Sequence, residues 1–435
     1  MSTVLVRPAQ LSKRSVGTRI ASGLWVVTLG LVSGVACVSV RVAFRVLQWI
    51  FVQHAGSLPA AAAALSPARR LITPILGAAC ATAVLWAARK WSQAGECEEY
   101  VEAVRSQRGR IPFAPTLWRT ASSAFSVATG AAIGREGSMI QFAAAVTSWV
   151  GARSPLQTLS LSRQVAYGAA AAVAAAYQAP TAGVFFALEI VIGEWTWAEV
   201  PLLALSSCAG WLVSRALLGG GPLFAIPNAI GITRDIFWAV PLALGLGLLA
   251  LLYNRSLRGL RFVSRWPLAL IWAGVLVGSL SLLHPAIWGN GDVALLQTFG
   301  ASRTVSMTVS LLVLRFVATT FCVGAGTVRG VFTPTLFAGA ALGLLSGQLL
   351  HLDQPVILAV IGMGAFLSAV THAPSMATLM AVELTGQWHL FPVVLLCNLF
   401  AWIIARRLSC HALYAIATPE PAESNEERER SLIKR

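Results

Sequence analysis

Gly134-Arg135-Glu136-Gly137-Ser138-Met139-Ile140 separates two apolar runs, Leu117 to Ala132 and Met139 to Val150. An ionised Glu and Arg at membrane depth are costly, and such residues mark function by default. The flanking glycines let the backbone open between two half-helices. A helix that starts here points free N–H groups and the positive end of its dipole at whatever lies in front of it. That chemistry makes an anion site, with the Glu136 carboxylate placed to compete for it. The plainer alternative is a short polar turn whose Glu caps a helix.

The surroundings place this stretch in a membrane. Of 435 residues, 57% are hydrophobic and only 11% charged, and the mean hydropathy is +0.72. Soluble domains carry far more charge, so the chain reads as an integral membrane protein. Apolar stretches fill most of the length from Ile20 to Leu408. They are helical in period, since a barrel would alternate apolar and polar residues in short segments. Seven Cys are scattered without metal-ligand or redox spacing and read as structural thiols. Glu96, Glu98, Glu99 and Glu102 raise the idea of a metal, but acids in the first turn of a solvated helix account for them. Neither metal nor cofactor is expected. The net charge of +15 sits largely in loops and ends, such as Arg105-Ser106-Gln107-Arg108-Gly109-Arg110 and the row Arg255, Arg258, Arg261 and Arg265. Loops of this kind face anionic lipid on the cytoplasmic side. No soluble domain remains to carry nucleic-acid binding.

In chain order, residues 1–19 are polar and basic and are expected in the cytoplasm. Ile20 to Val52 is too long for one perpendicular span and suits a tilted helix. Leu71 to Ala88 gives another span. An Ala-rich run, Leu159 to Ala176, is broken by Tyr177-Gln178-Ala179-Pro180-Thr181 and restarts as Ala182 to Ile192, which carries Glu189. Glu194 and Glu199 follow and are expected at a membrane surface. Residues 219–235, rich in Gly and Pro, read as the linker between a first repeat, 20–218, and a second, 236–416. The second repeat holds Trp288-Gly289-Asn290-Gly291-Asp292, a turn cluster, and Arg315, an intramembrane charge with no evident partner in sequence. Gly324 to Pro334 is a Gly-rich break that ends in Pro, a residue tolerated in the first turn of a helix. Residues 417–435 form a short charged tail, expected in the cytoplasm, so the number of crossings should be even.

The two halves resemble each other. Ala179-Pro180 is followed by Glu189 nine residues after the Pro, and Ala373-Pro374 by Glu383 at the same distance. The offset is 374 − 180 = 383 − 189 = 194. Upstream, Gly134 matches Gly330 at an offset of 196, and both precede a helix start. Interrupted apolar segments at matching places in two halves are the mark of an inverted repeat with a binding site at the midplane. Two broken helix starts, at Gly134 to Ser138 and at Gly330 to Pro334, would then converge on one site. Partial charges from their N–H groups select a small anion and still let it leave.

These residues resemble the CLC chloride channel and transporter family. Gly-Arg-Glu-Gly at 134–137 is similar to its gating-glutamate motif, and Gly-Val-Phe-Thr-Pro at 330–334 to its second filter motif. Residues 182–189, Trp-Gly-Asn-Gly at 288–291 and Thr-His-Ala-Pro at 371–374 add to the likeness, which runs from about residue 20 to 416. It looks closest to a bacterial branch described as voltage-gated-type chloride channels. The resemblance implies an all-α integral membrane fold of two inverted-topology repeats with broken helices. It implies a homodimer in the inner (plasma) membrane, in contact with lipid, with one chloride pathway per subunit. Glu136 would be the gate, with Gly134, Arg135 and Gly137 around the anion. The backbone N–H groups of Val331 and Phe332 would contact a central anion, completed by the Tyr414 hydroxyl. The segment Gly95-Glu96-Cys97-Glu98-Glu99 lacks the Ser that the family supplies to this site, and Ile190 stands where proton-exchanging members carry an inner glutamate. Channel-like conduction, acting as an electrical shunt, is therefore expected. The alternative is chloride–proton exchange with Glu189 or Glu194 as the substitute inner acid. Glu189 also has a structural reading, as a carboxylate tied to helix ends. An intramembrane enzyme is set aside, since no Ser/His or metal-ligand spacing links His284, His351, His372 or His389 to the acids.

Overall fold

A computed structural model describes residues 16–54, 56–91, 99–154, 159–226, 230–231, 233–300, 304–328, 330–408 and 412–413. Among them the chain forms seventeen α-helices and no strands, only an isolated antiparallel bridge between Gly134 and Gly330. The first half comprises α1 (Val16–Val52), α2 (Leu58–Ala64), α3 (Pro67–Trp91), α4 (Tyr100–Arg105), α5 (Phe113–Ala128), α6 (Glu136–Gly151), α7 (Leu161–Tyr177), α8 (Pro180–Phe186) and α9 (Val200–Leu218). The second comprises α10 (Ala239–Gly259), α11 (Ala269–Leu283), α12 (Asp292–Thr298), α13 (Val305–Gly324), α14 (Phe332–Leu349), α15 (Pro355–Thr371), α16 (Pro374–Thr385) and α17 (Phe391–Arg407).

Six helical stretches are long and apolar enough to cross a membrane: Gly17–Val52, Pro67–Trp91, Trp197–Leu218, Arg234–Arg265, Val305–Gly324 and Trp388–Arg407. Their outward faces are apolar. On α10, Leu244, Leu248 and Leu252 recur every fourth residue and are exposed, as lipid-facing side chains should be. The interior is built differently. Helices α7 and α15 are buried on nearly every side, which fits their uniformly apolar, small-residue sequences. Where α14 crosses α15, a Cβ on Gly343 would collide with the Leu358 carbonyl, and one on Gly339 with that of Gly362. Glycine on both helices therefore lets the two backbones touch, the usual way membrane helices pack without a hydrophobic driving force.

The repeat read from sequence is present in backbone detail. α7 ends on Gln178 in the left-handed region, φ 58°, and Ala179 then turns the chain into α8. α15 ends on His372, φ 61°, and Ala373 turns the chain into α16. The offset is again 372 − 178 = 194. Ala179 and Ala373 have nearly equal dihedrals, φ −129°, ψ 79° and φ −126°, ψ 77°. Each half then caps the other. Glu189 accepts hydrogen bonds from the N–H groups of Ser375 and Met376 at the start of α16, at 3.2 and 2.9 Å. Glu383 accepts from Thr181 and Ala182 at the start of α8, at 3.1 and 2.8 Å. A carboxylate placed on the orphan N–H groups of a helix start answers both their hydrogen bonding and the dipole. The nine-residue spacing from Pro to Glu thus follows from two short helices that exchange caps.

One departure from the sequence reading is at the end of α8. Ala182 to Ile192 is not a uniform α-helix: Ala187–Ile192 is a π-helical turn that contains Glu189. Such widened turns are characteristic of functional or constrained positions. Here the widening accompanies a carboxylate directed at a neighbouring helix.

Candidate functional site

The stretch 129–137 and the stretch 330–334 meet. Gly134 N–H donates to the Gly330 carbonyl at 2.5 Å, and Gly330 N–H returns a bond to the Gly134 carbonyl at 2.9 Å. This reciprocal pair clamps the two helix starts together. Only glycine fits on either side. A Cβ on Gly134 would lie 2.5 Å from Glu136 Oε2 and 2.7 Å from the Gly330 carbonyl oxygen. A Cβ on Gly330 would lie 2.7 Å from the Gly137 nitrogen. The glycine offset of 196 found in sequence is therefore a direct contact.

Just beyond the clamp, α6 begins at Glu136 and α14 at Phe332. The first-turn N–H groups of each helix have no partner within the helix, and both positive dipole ends come to the clamp. Val331 and Phe332 are buried at the start of α14, and Pro334 occupies its first turn. Thr335 ties that turn down by donating to the Val331 carbonyl at 2.7 Å. Tyr177 closes the site from the end of α7. Its ring stacks at a tilt against Phe332, centroids 5.2 Å apart, and its hydroxyl lies 3.3 Å from Thr333 Oγ1.

Glu136 is only 5% exposed. Its Oε1 accepts a 2.7 Å hydrogen bond from Asn290 Nδ2. Its Oε2 is sealed from solvent and has no hydrogen-bond partner among the described residues. Arg135 stands beside it with Nε 3.9 Å from Oε1 and Nη2 3.4 Å from Asp292 Oδ2. The buried carboxylate thus has one oxygen held by Asn290 and the other beside Gly134 of the clamp.

Asn290 is a residue whose role sequence reasoning did not find, although the turn cluster that carries it was noticed. Its orientation is fixed from behind: Asn290 Oδ1 accepts from Asp292 N–H at 3.3 Å, so Nδ2 faces Glu136. The turn is fixed in its own right by Arg315. That guanidinium donates from Nη1 to the carbonyls of Ala286 and Ile287 at 2.8 and 3.1 Å, and from Nη2 to that of Gly289 at 2.9 Å. Phe337 of α14 lies under it, 5.4 Å from ring centroid to Cζ. The intramembrane charge without a visible partner in sequence is answered by three carbonyls rather than by an acid. The same turn touches the loop before α6, with Gly289 N–H donating to the Gly130 carbonyl at 3.2 Å and Trp288 packed against Gly130. Thr319 of α13 holds the loop from the other side through the Ala132 carbonyl, at 2.8 Å.

The remaining candidates fall elsewhere. Both Glu189 oxygens are engaged as the α16 cap, the structural role that its spacing allowed. Glu194 is exposed. Glu199 is buried inside the protein: it is 2% exposed, 2.7 Å from Arg163 Nη1, and accepts a bond from the Tyr167 hydroxyl at 2.5 Å. The pairing has a sequence trace, since Arg163 and Tyr167 lie one turn apart on the same face of α7. Ile190 is buried, and its carbonyl takes a 2.7 Å bond from Arg105 Nη2. Tyr414 and residues 95–98 lie outside the described residues.

Comparison with known proteins agrees with this geometry. Residues 77–406 match the family described as voltage gated chloride channel. The chain is 35% identical over 413 residues to the voltage-gated ClC-type chloride channel ClcB of Citrobacter koseri, covering 90% of this chain and 97% of that one. It is 37% identical over 409 residues to a putative chloride channel protein ClcB-like of Ralstonia nicotianae, covering 89% and 94%. In fold it is similar to a slow cyanobacterial Cl−/H+ antiporter, with a TM-score of 0.78, 22% identity and coverage of 95% and 98%. It is also similar to a CLC-type fluoride/proton antiporter, with a TM-score of 0.75, 19% identity and coverage of 94% and 100%. A family match over three quarters of the length, and relatives at this identity over nearly the whole chain, establish that the chain belongs to the voltage-gated chloride channel family.

Proposed function

We propose that the chain carries chloride across the inner membrane through a pathway that Glu136 closes and opens. The observation that carries this reading is the Glu136 carboxylate itself, buried where the α6 and α14 starts meet, with Oε2 left without a hydrogen-bond partner among the described residues. A halide takes the place of that oxygen without needing any donor geometry beyond the N–H groups already there. When the carboxylate is ionised it fills the site and the path is shut. When it is protonated or displaced, it gives up the Asn290 bond, swings aside, and the helix starts are free to hold chloride. Gly134, Arg135 and Gly137 shape the outer part of the site, and the N–H groups of Val331 and Phe332 the central part, where Tyr414 is the expected hydroxyl donor. Two copies form a homodimer with one path each, and both termini are cytoplasmic. The physiological use is an electrical shunt that lets anions follow charge moved by other proteins.

Channel-like conduction is favoured by position 190, where an isoleucine is buried and its carbonyl is occupied by Arg105. Chloride–proton exchange is the second reading, favoured by solved neighbours described as antiporters. Glu189 and Glu194 are its candidate acids, and the engagement of both Glu189 oxygens counts against the first. The deciding experiment is paired chloride and proton flux from purified protein in liposomes under a chloride gradient. Chloride efflux without proton movement supports the channel. Proton uptake locked to chloride efflux establishes exchange instead, and no anion flux in well-folded protein overturns both.

A further inference from the structure

The end of α10 carries a charge excess that the anion site does not use. Residues 236–291 contain no Asp or Glu, yet arginines stand at 255, 258, 261 and 265. The first two lie in the last turns of α10, and the others in the 3-10 segment Leu260–Arg265 that follows. Arg258 is half-buried and the other three are exposed. None of the four forms an ion pair with a carboxylate among the described residues. Their depth in the membrane follows from α10. Exposed Phe237 and Trp238 stand at its start, and exposed Phe262 and Trp266 just beyond its end. Aromatic side chains of this kind mark the two membrane–water interfaces. The 21 residues of α10 span about 32 Å, close to the hydrocarbon thickness. Its lipid-facing stripe, Leu244, Leu248 and Leu252, is followed one turn later by Arg255. The arginine row therefore lies at headgroup depth, on the side that meets lipid.

The same segment bears on the helix that braces the anion site. Val263, between the arginines in sequence, is buried against the core. A Cβ on Gly324 would fall 2.5 Å from the Leu260 carbonyl oxygen, and one on Gly326 would lie 3.5 Å from Ser264 Cβ. Leu260–Arg265 thus rests on the last residue of α13 and on the turn that leads towards Gly330. Helix α13 in turn holds the Trp288–Asp292 cluster through Arg315 and the loop before α6 through Thr319. A group that fixes the arginine row from outside therefore presses, through one short segment, on the support of Asn290 and Glu136.

We propose that Arg255, Arg258, Arg261 and Arg265 bind the phosphate headgroups of anionic phospholipid in the cytoplasmic leaflet, and that the bound lipid steadies the end of α13 and so supports flux. The uncompensated arginines place this end on the cytoplasmic side. Guanidinium groups pair with phosphate oxygens through paired N–H donors. Phe262 and Trp266 lie among them to meet the apolar border of the headgroup layer. The effect on flux rests on the proposed chloride pathway, whereas the binding of lipid does not.

The test reads binding and flux separately. Native mass spectrometry of the full chain in detergent follows titration with phosphatidylglycerol or with phosphatidylcholine of the same acyl chains. Chloride flux is measured in phosphatidylcholine liposomes with and without phosphatidylglycerol. The wild type should bind phosphatidylglycerol in preference and pass chloride faster when it is present. The double variant Arg258→Gln, Arg261→Gln should bind phosphatidylglycerol about fivefold more weakly for each arginine removed, and its flux should no longer respond to that lipid. The control, Arg406→Gln with Arg407→Gln at the end of α17, removes the same charge from exposed positions and should keep both properties. Equal weakening in the control would mean diffuse attraction only and overturns the site. Equal binding of phosphatidylcholine overturns it too, as does displacement of the lipid by inorganic phosphate but not by chloride at the same ionic strength, which would assign the row to a soluble anion. Specific binding without any effect of phosphatidylglycerol on flux would overturn the link to α13. Specific binding to protein that passes no chloride in either lipid would refute the transport reading and leave the headgroup site standing.

Discussion

Removing the Asn290 amide should loosen the gate. In Asn290→Ala, Glu136 Oε1 loses its 2.7 Å donor, and the nearest remaining cation is Arg135 at 3.9 Å. A hydrogen bond to an ionised group contributes about 1.5–3 kcal/mol. The lower figure applies here, because the shortened side chain leaves room for water beside the carboxylate. Each 1.4 kcal/mol is a factor of ten, so the ratio of shut to open protein should fall about tenfold. Chloride efflux from liposomes at neutral pH reads this directly as a faster rate in the variant. The control is a double-mutant cycle with Glu136→Ala. If Asn290 acts through Glu136, Asn290→Ala should change nothing once the carboxylate is gone. Slower efflux in Asn290→Ala, or the same acceleration with and without Glu136, would refute the reasoning.

Gly134→Ala should uncouple the two helix starts, since its Cβ falls 2.7 Å from a backbone carbonyl that has no room to retreat; an overpacking cost of about 1–3 kcal/mol predicts an altered or strongly reduced flux, and wild-type flux would contradict it. Glu189→Ala and Glu383→Ala should each destabilise the protein by about 1–2 kcal/mol, as lost caps do. Thermal denaturation in detergent should show the two losses to be similar, because the two carboxylates make matching bonds. Chloride flux should survive in Glu189→Ala if that residue is a cap and nothing more. Arg315→Leu should orphan the carbonyls of Ala286, Ile287 and Gly289, at about 1–3 kcal/mol for each unsatisfied group. A melting temperature within a degree of the wild type would exclude that role.

Much of this arrangement was legible in the chain because its signals are local or periodic. Long apolar runs broken at matching places give the helical membrane fold. Gly134 and Gly330 are visible because a close backbone approach admits no other residue. The Pro-to-Glu spacing is visible because each half spends the same short helix and the same carboxylate on the other. What was not legible depends on partners far apart in sequence. Asn290 and Glu136 are 154 residues apart, and nothing in Trp288-Gly289-Asn290-Gly291 announces a donor aimed at a carboxylate. Arg315 looks like an unpaired charge because backbone carbonyls, which every residue has, leave no trace in a sequence. The pairing of Glu199 is not evident in its own stretch because its partners, Arg163 and Tyr167, belong to another helix. The π-helical turn at Ala187–Ile192 has no compositional mark, being set by where Glu189 must reach.

The central claim is that the Glu136 carboxylate stands in the anion's place. Chloride efflux from liposomes containing purified wild type or Glu136→Ala, measured across a range of pH, tests it most directly. The account predicts that Glu136→Ala passes chloride at least as fast as the wild type and without the wild type's dependence on pH. Loss of chloride efflux in a Glu136→Ala protein that purifies and melts like the wild type would contradict it.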